Sequence, residues 1–174
     1  MTDIEVSYTH PARAPDPGKA LIVGIGNPDR GDDGVAWHVL RALAQQLERR
    51  LVEWDGEDLD PDEPSPHLIC MLQLTPEVAE LLGEYERVCF VDAHTGAYAE
   101  DLRFEPLEAD FQASPFTHHL TPQACLVLAE TMVGHAPRAV VCSLRGYEFG
   151  FSHALSAATA GLAERAVERI MAWL

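Results

Sequence analysis

The chain has 174 residues, 47% of them hydrophobic and 23% charged, and a net charge of −16. That length fits one domain with a full core needing neither metal nor disulfide, and so negative a chain argues against nucleic acid or an anionic membrane as partner, since both demand a cationic footprint. Its four cysteines, Cys70, Cys89, Cys125 and Cys142, form no C-x-x-C pair, so no zinc ribbon or thioredoxin-type redox motif is present.

Residues 1–19 read as a mobile tail, because Pro11, Pro15, Pro17 and Gly18 among scattered charges give little to pack. They contain no apolar signal-peptide core, and no stretch is long enough to span a bilayer. With the cysteines lying in apolar runs, a soluble protein of a reducing compartment, the cytoplasm, is expected.

Residues 20–174 read as a single α/β domain. Ala20–Ile25 is an unbroken apolar strand, buried on both faces. A turn rich in glycine and proline, Gly26-Asn27-Pro28-Asp29-Arg30-Gly31, then delivers Asp32 and Asp33 to the start of a helix running to about Arg50. Two readings of this acidic pair stand side by side. In one, Asp32 caps the helix and Asp33 favours its dipole. In the other, one aspartate is enough for the cap and its neighbour points out toward a metal or a substrate. A dinucleotide loop is disfavoured, because Asp29 stands where G-x-G-x-x-G needs its last glycine.

Leu51–Trp54 is a short strand or the helix end, and the acidic, proline-rich residues 55–66 form a solvated loop. His67–Leu74 is a second strand. Thr75 caps a helix with Pro76 in its first position and Gly83 near its end. Arg87–Val91 is a third, buried strand, and Asp92 follows at its carboxyl end, where open α/β sheets bind ligands. Asp101–Leu107 alternates like an edge strand. After a turn-rich stretch holding His118 and His119, Thr121-Pro122 opens a helix to about Val133. Arg138–Leu144 is another buried strand, residues 145–151 form a loop, and a helix from about Ser152 runs to Leu174. Strands alternating with helices imply a three-layer α/β/α sandwich with a mostly parallel sheet of about five strands.

Asp33 (with Asp32), Asp92 and His118 fall on one edge of that sheet. Two carboxylates and an imidazole make an incomplete coordination shell with room for water or a substrate's own ligands. The set alone does not choose among zinc, nickel, manganese and iron. No nucleophile competes: Ser143 and Ser152 lack a G-x-S-x-G elbow, and Cys125 falls within a helix on an apolar stretch.

Five motifs in order resemble the hydrogenase maturation proteases, the endopeptidases that trim the large subunit of [NiFe] hydrogenases. They are Gly24-Ile25-Gly26-Asn27 with Asp32-Asp33-Gly34; Gln73-Leu74-Thr75-Pro76-Glu77; Val91-Asp92-Ala93; Thr117-His118-His119-Leu120-Thr121-Pro122; and Gly146-Tyr147-Glu148-Phe149-Gly150 with Leu155-Ser156 beyond. The resemblance covers about residues 20–173. It implies a twisted mixed sheet between helices and a metal-contacting, catalytic triad of Asp33, Asp92 and His118, supported by Asp32. His118 is preferred to His119 because it directly follows the polar Thr117. The resemblance also implies that nickel arrives with the large-subunit precursor, rather than being held tightly by this chain, and that a short C-terminal extension is removed once nickel is in place. The alternative is a non-catalytic chaperone that senses nickel or binds the precursor.

Overall fold

The computed structural model describes residues 18–56, 59–110 and 120–174. Most of the tail expected over 1–19, Glu57 and Asp58 of the acidic loop, and His118 and His119 lie outside the described residues.

Six strands form one sheet: β1 (Ala20–Ile25), β2 (Leu51–Glu53), β3 (His67–Met71), β4 (Arg87–His94), β5 (Leu102–Leu107) and β6 (Arg138–Arg145), in the order β2-β3-β1-β4-β6-β5. All neighbours are parallel except β5, which runs antiparallel to β6. The sixth strand, beyond the five read from sequence, is β2. The ambiguous stretch pairs because the preceding helix stops early: Glu48 turns left-handed at φ 54° and sends the chain back along β3.

The helices are α1 (Val35–Leu47), α2 (Pro76–Leu82), α3 (Pro122–Val133) and α4 (Ala157–Trp173). Side chains of a strand alternate between faces, and β1 shows the result. Ile22 joins the core under α1 and α4, with Leu40, Leu43, Ala166 and Ile170. Leu21 and Val23 join the opposite core under α2 and α3, with Val78, Leu82, Cys125 and Ala129. Every residue of β3 is buried, as a central parallel strand requires. All four cysteines are buried and free. Among the described residues no helix is long and apolar enough to cross a membrane.

Several boundaries move for physical reasons. The strand expected over 87–91 continues to His94, because β6 extends alongside it as far as Arg145. The last helix begins at Ala157 rather than near Ser152, since the Ser152 amide donates to the Asp29 carbonyl at 3.0 Å. Thr121 caps α3 as expected, its hydroxyl accepting from the Ala124 amide at 3.2 Å. Thr75 holds the corresponding place before α2, yet its hydroxyl caps no amide.

The connections fix where a site can form. From β1 the chain crosses to β2 and β3 on one side and then returns to β4 on the other. The loops therefore part at the carboxyl ends of β1 and β4, leaving a crevice at the point where strand order reverses.

Candidate active site

The turn after β1 is built on glycines that no other residue could replace. Gly26 has φ +136°, and a side chain there would collide with the Asp33 carbonyl oxygen. Its amide donates to the Met71 carbonyl at 3.1 Å, and its carbonyl accepts from the buried Trp37 indole at 2.8 Å. Gly31, at φ +55°, lies so close to the Glu148 carbonyl that a Cβ would sit 2.6 Å from it. Between them the chain winds into a 3-10 turn, Gly31–Gly34, that packs on β4.

Asp32 points inward from that turn and is fully buried. One carboxylate oxygen accepts from the Tyr147 amide (2.8 Å), the Glu148 amide (3.0 Å), the Ser156 hydroxyl (2.7 Å) and the Thr159 hydroxyl (2.8 Å). The other accepts from the Ser156 amide at 2.7 Å. Burial alone would push this carboxyl up, but the amides of Tyr147 and Glu148 and both donors of Ser156 outweigh it and hold it at about 2. Asp32 is therefore not the cap of α1, whose N-cap residue is Gly34. It secures the loop before α4 to the turn that carries Asp33.

Asp33 is half-buried and near enough to Asp92 for its charge to act on that carboxyl. Its Oδ2 accepts from the Asn27 amide at 3.1 Å, and no described donor reaches its second oxygen. Asp92 lies within β4, opposite Ser143 of β6, and its Oδ1 accepts from the Ala93 amide at 2.7 Å. Burial raises its carboxyl to about 7, the Ala93 amide works against that, and the negative charge of Asp33 adds to it. Two neighbouring carboxylates, each with an oxygen free of described donors, make a place for a cation. The described residues alone form no group of three donors able to hold a metal, and His118 is not among them.

The sequence passed over three residues. His94, two positions beyond Asp92, is buried. Its Nδ1 accepts from the Gly96 amide at 3.2 Å, and its Nε2 has no hydrogen-bond partner among the described residues. Burial lowers its pKa, the Asp101 backbone opposes this, and the cations Arg145 and Arg103 reinforce it, so the ring is neutral at pH 7. The spacing was its signal, since residues two apart in a strand share a face. Ser156 had a signal only as part of the Leu155-Ser156 motif, and Thr159, fully buried at the start of α4, had none.

Neither family models nor curated proteins match this sequence. Solved structures do. A [NiFe] hydrogenase maturation protease of Thermococcus kodakarensis aligns over 87% of this chain and 89% of its own at 22% identity, with a TM-score of 0.60. The hydrogenase maturating endopeptidase of E. coli aligns over 90% and 91% at 17% identity, with a TM-score of 0.57. A hydrogenase 2 maturation peptidase from a Thaumarchaeota archaeon aligns over 88% and 96% at 21% identity, with a TM-score of 0.56. The chain thus has the fold that these maturation proteases share.

Proposed function

We propose that this chain is an endopeptidase that removes a short C-terminal extension from the nickel-loaded precursor of a [NiFe] hydrogenase large subunit. The observation that carries the reading is the meeting of Asp33 and Asp92 at the switch point of this fold, each with an oxygen free of described donors. Strand alternation puts Asp92 on the same face of the sheet as Phe90, under α2 and α3. At its far end α3 lies beside the start of β4, where His135 Nε2 is 3.2 Å from the Tyr85 carbonyl. Its first turn therefore opens at the carboxyl edge, and His118 precedes that turn by a few residues. In this reading Asp33, Asp92 and His118 contact the nickel that the precursor brings, and Asp32 keeps the turn in place without touching it.

The nickel belongs to the substrate and supplies the charge that polarises a carbonyl or a water. Asp92, with its carboxyl near neutrality, is suited to take a proton from an attacking water and return it to the leaving amine. The setting is the cytoplasm, where nickel insertion precedes trimming. The test is to incubate the protein with nickel-loaded and nickel-free precursor and read the large-subunit mass before and after. Loss of a C-terminal peptide from the nickel-loaded form alone is expected, and Asp33→Ala, Asp92→Ala and His118→Ala each abolish it. Binding without any mass change overturns the reading in favour of a non-catalytic precursor-binding chaperone; cleavage of both forms removes nickel as the signal.

A further inference from the structure

Large apolar side chains are not scattered evenly over the described surface. Leu72, Tyr98, Tyr147 and Phe151 are exposed, and all follow the carboxyl ends of β3, β4 and β6, on the edge that carries Asp33 and Asp92. Met132, near the end of α3, is the exception. Phe151 is the extreme case, 88% exposed. The loop bearing it is nonetheless fixed. The Gly31 amide donates to the Ser152 carbonyl at 2.7 Å, the Ser152 amide to the Asp29 carbonyl at 3.0 Å, and the Tyr147 and Glu148 amides to Asp32. The ring is thus held out into water by backbone bonded, on both sides, to the turn that carries Asp33. A pre-ordered aromatic loses little freedom when a partner covers it, and such residues dominate binding surfaces.

Charge narrows the partner. Glu148 is exposed, and no described side chain pairs with its carboxylate. Asp29, Asp33 and Asp92 lie on the same edge, in a chain of net charge −16. Of the nearby cations, Arg145 is paired with Asp101 at 3.1 Å and lies 5.1 Å over the Tyr147 ring, Arg103 is paired with Glu105, and His153 lies 3.3 Å from Asp29, which leaves Arg30 against Glu148, Asp33 and Asp92.

We propose that Phe151 and Tyr147 anchor the polypeptide being cut. An apolar side chain of the substrate lies on the Phe151 ring and a cationic one beside it faces Glu148, so the segment entering the site is apolar and basic. This deepens the proteolytic reading and rests on it. The test is steady-state processing of nickel-loaded large-subunit precursor by the wild type, Phe151→Ala, Phe151→Leu, Glu148→Gln and Met132→Ala, with thermal unfolding as a check on folding. Phe151→Ala should raise KM by about tenfold with kcat within about twofold, the signature of lost binding rather than lost chemistry. Phe151→Leu restores most of the KM. Glu148→Gln gives a smaller rise that vanishes at high salt, and Met132→Ala changes nothing. An unchanged KM for Phe151→Ala beside an active wild type overturns the anchor and leaves the proteolytic reading intact. A wild type that cuts no precursor overturns both.

Discussion

Asp32 and Asp92 are both withdrawn from water at the same edge of the sheet, yet burial leaves one ionised far into acid and the other protonated up to about neutrality. The difference lies in what surrounds each. Asp32 accepts from five donors on Tyr147, Glu148, Ser156 and Thr159. Asp92 accepts from one amide, that of Ala93, and faces another carboxylate. Burial disfavours the charge in both places, and only at Asp32 do the donors outweigh it. The first arrangement stabilises the fold. The second costs stability and leaves a charge site unfinished, as reactive sites often do.

The largest test of that contrast is Asp32→Ala. It strands the donors that now converge on one carboxylate, and the expected loss is about 3–5 kcal/mol of folding stability, read by urea unfolding. The proposed processing activity should fall with it, though Asp32 is buried among its donors. A loss under about 1 kcal/mol would mean that the loop before α4 is held by other contacts.

Asp92→Asn should do the opposite. Its carboxyl in the folded state titrates at about 7 against an ordinary 3.8, so the fold binds its proton more tightly than the unfolded chain does. Stability therefore declines as pH rises from about 4 to about 7, and the neutral amide escapes that penalty. The variant should be more stable at pH 7.5 by about 2–4 kcal/mol while losing the proposed processing activity. A destabilised Asp92→Asn would show that the carboxyl is satisfied after all.

The smallest effect is the acid limb of Asp32. Its carboxyl in the folded state, at about 2, lies below the ordinary 3.8, so its contribution is fully present above pH 4 and disappears as pH falls toward 2. The difference in stability between the wild type and Asp32→Asn should shrink by about 2 kcal/mol across that window. A difference independent of pH would mean that shape, not charge, is what the loop recognises.

The repeat of apolar strand and amphipathic helix was legible in the residues, because burial on both faces leaves the strand beginning at Ala20 no polar position before the turn. So was the position of Asp33 beyond the turn after the first strand and of Asp92 in a buried strand, although that strand runs on to His94. The role of Asp32 was not. A carboxylate just ahead of a helix looks like a cap, and its real partners lie more than a hundred positions away. His94 was overlooked for a related reason: the strand was read as ending at Val91, so its ring was assigned to a turn rather than to the face it shares with Asp92. Thr159 illustrates the limit, since a threonine in a helix carries no mark of the carboxylate it will meet.

The bonds of Asp32 also bear on when the site comes into being. Asp33 and Asp92 belong to the first part of the chain to be synthesised, but the turn that holds Asp33 is secured by Tyr147, Glu148, Ser156 and Thr159. A nascent chain that has not yet reached Tyr147 possesses both Asp33 and Asp92 and lacks the groups that fix the turn carrying one of them. Closing a loop of 127 residues onto a single carboxylate is a late event, because distant contacts wait on the entropy of closure. The same buried charge that helps hold the fold together thus ties the turn carrying Asp33 to the C-terminal part of the chain.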